Sequence, residues 1–147
     1  MGTLSGDLIN PASAQEYGCQ ATIQTIRDDI TDRLGGSINR IHARQIQNAP
    51  LSPYNQKGEI SFSLGGYDSR RGQRSKDIME STTLLTEYSD RIIKSCSDIV
   101  RVTFGMYASD WIRSYSWIDN KYTRMDECLE PRAHREYNLV WGQQICL

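Results

Sequence analysis

Four cysteines and two histidines hold most of the chain's options for covalent chemistry. Cys19, Cys96, Cys128 and Cys146 stand 77, 32 and 18 positions apart. No pair has the short spacing of a zinc knuckle or a redox CxxC motif. Two disulfides in three connectivities are open, but a chain of 147 residues does not need cross-links to fold. Cys19 and Cys96 also fall on apolar stripes, so the expectation is buried free thiols packing as small hydrophobes. His134 follows Cys128 by six positions, which admits a Cys–His nucleophile pair and a thiol enzyme as one alternative. That spacing is no signature, however. His134 reads more simply as a polar residue in the first turn of a helix after Pro131, and His42 as a half-buried histidine.

Other catalytic patterns are missing. The chain has no GxGxxG, Walker loop, HExxH, GxSxG or EF-hand loop. Asp28, Asp29 and Asp32 cluster on one segment, and Asp126, Glu127 and Glu130 on another. A metal site draws carboxylates from several elements, so both clusters read as solvated faces. No catalytic residue, cofactor or metal is expected.

Charge is distributed unevenly. The 17 basic and 18 acidic side chains nearly cancel over the whole chain. Between Arg33 and Lys76, however, eight positives meet two negatives, a local net of +6 that leaves −7 for the remainder. Poles of opposite sign attract copies head to tail. The basic 33–76 segment also supports a second alternative, a nucleic-acid or phosphate binder. It would use Arg40, Arg44, Arg70, Arg71 and Arg74, the last three beside Tyr67 and Gly72 in a basic loop. An overall pI of about 6.1 weighs against a dedicated nucleic-acid binder. Aromatic residues are skewed too. Eight of 13, including every tryptophan, lie in the last 47 residues, more rings than one small core readily hides.

These residues need elements to position them. Asn10 and Pro11 suit a helix start, and Cys19, Ile23, Ile26, Ile30 and Leu34 form one helical stripe that Gly35-Gly36 closes. A short helix is expected from Ser37 to about Asn48, on Ile38, Ile41 or His42, and Ile46. Residues 59–64 alternate polar and apolar as a strand does, and 67–74 read as a flexible loop. A long helix follows from Ser75, on Ile78, Thr82, Leu85, Ser89, Ile92, Cys96 and Ile99. The helical step then continues beyond Gly105 through Tyr107, Trp111, Tyr115 and Ile118. Val100, Val102 and Phe104 also allow a strand. A final helix is expected after Pro131, with Ala133, Tyr137, Val140 or Trp141, and Ile145 on its inner face.

The fold class expected is therefore mainly α: a bundle of about four to five helices with one short strand or extended segment at 59–64, in a single domain spanning 1–147. A lone strand needs a partner, which Val100–Phe104, another chain or an incoming peptide can provide. The function expected is a non-enzymatic structural or interaction subunit that self-associates or docks into a larger protein assembly. Its contact residues would be Ile60, Phe62, Leu64, Arg70, Arg71, Arg74, Trp111, Tyr115, Trp117 and Trp141. No apolar run is long enough to span a bilayer, and the first residues lack the pattern of a secretory signal. These features point to a soluble protein of the cytoplasm or of a particle.

Overall fold

The computed structural model describes residues 11–35, 41–65, 69–107, 109–131 and 138–146. It opens on α1 (Pro11–Arg33), whose expected stripe of Cys19, Ile23, Ile26 and Ile30 is buried, together with Leu34 just beyond the helix end. The rest is not a helical bundle. Among the described residues three helices accompany seven strands, five of them in one mixed sheet. The segment expected as a short second helix is β1 (Ile41–Ile46), and the 59–64 strand is β2 (Gly58–Leu64). The basic loop expected at 67–74 gives way to α2 (Ser69–Glu80). The long helix is cut at Ser81, whose ψ of 78° is not helical, and resumes as α3 (Thr82–Ser95). The hydroxyl of Ser81 makes no capping bond, and the break falls where Ser81 and the β-branched Thr82 and Thr83, all of modest helix propensity, follow one another.

The C-terminal half departs furthest from expectation. The stretch read as helix through Ile118 forms β3 (Ile99–Met106), where Val100, Val102 and Phe104 also allowed a strand, and β4 (Ile112–Ile118), and β5 (Tyr122–Met125) follows in a stretch assigned no element. Two short strands, β6 (Glu127–Leu129) and β7 (Gln143–Ile145), pair in parallel as a separate ladder. Of the helix expected after Pro131, residues 132–137 lie outside the described residues, and the part that is described is not helical: a turn at Trp141-Gly142 leads into β7, and Val140, expected on the inner face, is exposed.

The large sheet runs β1-β2-β3-β4-β5. Its β2–β3 pair is parallel and the other three pairs are antiparallel. A parallel pair needs a crossover connection, which α2 and α3 supply. Gly58 has no substitute where β2 begins, because a Cβ there would collide with the carbonyl oxygens of Ile46 and Gln47. The turn from β4 to β5 places Asp119 and Asn120 at φ of 54° and 57°, and Lys121 N–H donates to the Ile118 carbonyl at 2.9 Å. Asp and Asn tolerate that left-handed region best among residues with side chains.

The sheet's two faces differ in chemistry. One face presents Ile60, Phe62 and Leu64 of β2, Val102 and Phe104 of β3, and Tyr115 of β4, all buried in the main core with the helices. Phe62 stacks on Phe104 at 5.4 Å, and Phe104 meets Tyr115 edge-on at 5.9 Å. Helix α3 lies over β3, β4 and β5, with α1 packed against it. The cysteines of this layer are not free thiols: Cys19 of α1 is bonded to Cys96 just after α3. Their spacing on apolar stripes was correctly buried, but burial brought the two sulfurs together.

Candidate functional site

The opposite face of the sheet is polar, and at its centre is Arg101. This side chain sits inside the apolar run Ile99–Val102 and is only 8% exposed. A cation in that position must find partners, because an unpaired buried charge is prohibitively costly. Strand register supplies Glu59 on one side and Ser116 on the other. Arg101 Nε donates to Ser116 Oγ at 3.2 Å and stands 3.6 Å from Asp126 Oδ2, while Nη1 is 3.7 Å from Glu59 Oε2. Two carboxylates thus share one guanidinium. Burial pushes both the Asp126 and the Glu59 carboxyl above the ordinary carboxylate range, against the pull of Arg101.

The C-terminal segment is fastened over this cluster. The Trp141 ring lies 4.2 Å from the Arg101 guanidinium carbon, and its indole N–H donates to the Trp117 carbonyl at 2.9 Å. Tyr54 packs edge-on against Trp141 and donates to the same carbonyl at 3.2 Å. Where the β4–β5 ladder ends, Gln144 bridges it: Oε1 accepts from Ser114 N–H at 3.0 Å and Nε2 donates to the Asp126 carbonyl at 3.4 Å. A Cys128–Cys146 disulfide closes the segment. Gly142, at φ 88°, lets its turn lie close to Ile118 and Arg124.

The sheet edges form the second notable region. Strands β1 and β5 are the outermost strands, each paired on one side only among the described residues. Asp126 N–H donates to the Ser114 carbonyl at 2.7 Å, directly after β5. Main-chain groups alternate sides along an antiparallel strand. Tyr122 and Arg124 therefore face β4, whereas Thr123 and Met125 turn their main-chain groups outward. Between this edge and α3 runs a cleft of about 550 Å³ whose walls include Thr82, Thr86, Glu87, Lys121 and Thr123. The Thr123 hydroxyl is buried and has no hydrogen-bond partner among the described residues.

The residues singled out in the sequence are scattered by this fold. Ile60, Phe62 and Leu64 are interior, on a strand paired along both sides. Of the partners open to this strand, the segment around Val100–Phe104 is one that it takes, as β3, and β1 fills its other side, so no outside partner is needed. Tyr115 is fully buried, and burial pushes its hydroxyl up to about 12. Trp111 and Trp117 pack half-buried against the core, and Trp141 lies on the polar face. Arg70 and Arg71 belong to the first turn of α2, while Arg74 is exposed and lines a 340 Å³ hollow with Arg33 and Asp77. Arg40 and His134 lie outside the described residues. Cys128, bonded to Cys146, offers no thiolate for the imagined Cys–His pair.

Asp126, expected on a solvated acidic face, is instead 1% exposed, unlike Glu127 and Glu130 beside it, and its grouping with Arg101 and the largely covered Glu59 was overlooked, although a lone cation among β-branched residues was a readable signal. Among the described residues no group of three or more His, Cys, Asp or Glu side chains is placed to hold a metal ion, and no helix is long and apolar enough to cross a membrane. The chain matches no known protein family, and no curated protein or solved structure shows significant similarity to it.

Proposed function

We propose that the protein is a non-enzymatic structural subunit that works by contact with other protein chains, foremost copies of itself. The observation that carries this reading is the sheet whose outer strands, β1 and β5, are each paired on one side only among the described residues. Open edges bind other chains readily through their main-chain donors and acceptors. The rigid frame around them adds support: two disulfides and a buried polar cluster keep the edges ordered before any partner arrives, which lowers the ordering cost of binding. At the β3–β4 hairpin, Tyr107 and Ile112 are also largely exposed, beside the half-buried Trp111. Their presence fits a contact surface.

The disulfides bear on setting as well. Cross-links persist in oxidising surroundings and are rare in a reducing cytosol. Of the two settings expected from the sequence, a particle or other oxidising location is the better fit. The test is light scattering on the oxidised full-length chain from micromolar to millimolar concentration, with and without high salt. Its mass should rise above the 16.8 kDa of one chain as concentration increases. A monomer under every condition, with no partner chain recovered from the source, would overturn the reading.

A further inference from the structure

We propose that copies of this chain join head to tail through their sheets: β1 of one copy enters the cleft between α3 and β5 of the next and pairs antiparallel with β5. The inference rests on the reading above and specifies its surface. Strand direction is the first argument. Strand β1 runs against β2, β2 runs with β3, β3 runs against β4, and β4 runs against β5. Within one chain β1 and β5 are therefore opposed. A second copy, shifted along the sheet without being turned over, presents its β1 antiparallel to β5 and keeps its helices on the same side. The continued sheet needs no reversal of either layer.

The second argument is chemical. On the β5 side, Thr123 offers an outward N–H and C=O, Met125 an outward N–H, and the buried Thr123 hydroxyl lacks a partner. On the β1 side, Ala43 and Gln45 stand opposite Phe62 and Ile60, which places their side chains on the helix face of the sheet. Both are nevertheless exposed. In the continued sheet these two side chains would enter the cleft. One is small and the other carries an amide, and the cleft walls bear the hydroxyls of Thr82, Thr86 and Thr123. Ala43 fits by size, and Gln45, whose Nε2 donates to Asp98 of its own chain at 3.3 Å, keeps its Oε1 to accept from the Thr123 hydroxyl.

Charge plays little part in this contact. Strand β1 brings Arg44, β5 brings Arg124, and on α3 Glu87 and Asp90 are balanced by Arg91 and Lys94. The contact should therefore vary little with salt. A head-to-tail contact leaves one free edge at each end of the chain of copies, so growth is open rather than closed.

The experiment uses two blocked variants of the full-length oxidised chain. Ala43→Arg puts a long cation on the exposed β1 position and spoils the entering strand. Thr123→Pro removes an outward N–H that the chain's own ladder does not use, a change edge strands tolerate. Each variant alone should stay monomeric where the wild type associates. An equimolar mixture should give a species of two chains and no larger, because each variant keeps the end that the other lacks. Circular dichroism and thiol counting verify folding. If Thr123→Pro fails to fold, Thr83→Arg on the exposed side of α3 obstructs the same cleft.

Association lost in Ala43→Arg but kept in the cleft variant would mean a two-fold β1–β1 contact and overturn the proposal. The converse would mean that some other segment occupies the cleft, and would overturn it equally. Wild-type association that neither variant affects overturns this contact but leaves the broader subunit reading standing. A wild type that stays monomeric throughout overturns the contact, and the subunit reading then depends on a different partner chain.

Discussion

Arg101 shows how one residue ties the sheet to its cover. Its guanidinium touches β2 through Glu59, β4 through Ser116, the C-terminal segment through Trp141, and the 49–54 loop through the Pro50 carbonyl at 3.4 Å. Removing it leaves two carboxylates buried without their cation. Arg101→Met should cost about 3–5 kcal/mol at neutral pH. The loss should shrink toward about pH 4, where the carboxyls can be neutral. Chemical denaturation at both pH values measures the difference, and an equal cost at each would refute the account. Asp126 gives the converse case, since neither of its carboxylate oxygens has a hydrogen bond among the described residues. A carboxyl raised in the folded state holds its proton more tightly there than when unfolded. Its stabilising contribution is complete below the unfolded pKa and is lost as pH rises through the folded value. Asp126→Asn removes that dependence, so the variant should equal or exceed wild-type stability at neutral pH and show a flatter profile. Asp29 acts with the opposite sign: a hydrogen bond from the Tyr88 hydroxyl holds its carboxyl low. Its contribution is present above the ordinary carboxylate value and is lost as pH falls through the folded one.

At the scale of elements, the cover over Arg101 is held by a disulfide far more accessible than the one in the core. Cys128 is exposed and Cys146 half-buried, whereas Cys19 and Cys96 are 6% and 1% exposed. Exchange needs access of a thiolate to sulfur, so mild reductant should open Cys128–Cys146 first. Alkylation followed by peptide mass mapping should label those two cysteines before the core pair, and tryptophan emission should shift as Trp141 leaves Arg101. Simultaneous labelling of all four would contradict this order. The same region shows which elements were legible in the sequence and why. Helix α1 was readable because its stripe steps by three and four over several turns, a pattern no strand produces. Strand β2 was readable because Ile60, Phe62 and Leu64 alternate with polar residues. Strand β4 was misread because Trp111 and Tyr115, four apart, satisfy the helical step and the two-residue strand period alike. The alternation of Arg113, Tyr115 and Trp117 with Ser114 and Ser116 held the deciding signal. Strand β1 gave no clear period, since as an edge strand it leaves Ala43, Arg44 and Gln45 all exposed. The cluster at Arg101 joins residues 59, 101, 126 and 141. Only the strand order brings positions that distant together, and without the sheet that order was invisible.

For the whole molecule, the two cross-links close separate loops, with sequence separations of 77 and 18. Because the loops do not overlap, their restrictions on the unfolded chain act independently. Chain-entropy reasoning assigns about 4.5 kcal/mol to the longer and about 3 kcal/mol to the shorter. Together they approach the entire net stability of an ordinary domain, about 5–15 kcal/mol. The short C-terminal ladder depends on this most, for β6 and β7 contribute three residues each and lie outside the main sheet. Oxidation state should therefore decide how firmly the fold, and with it the edge strands β1 and β5, is held. Fully reduced and alkylated protein should unfold at much lower denaturant concentration than the oxidised form. The double variant Cys128→Ser/Cys146→Ser should retain the sheet while losing the protection of the C-terminal segment. Denaturant titration and hydrogen exchange on the three forms measure both effects. Equal stability of the oxidised and fully reduced chains would show that the cross-links do not hold this fold together.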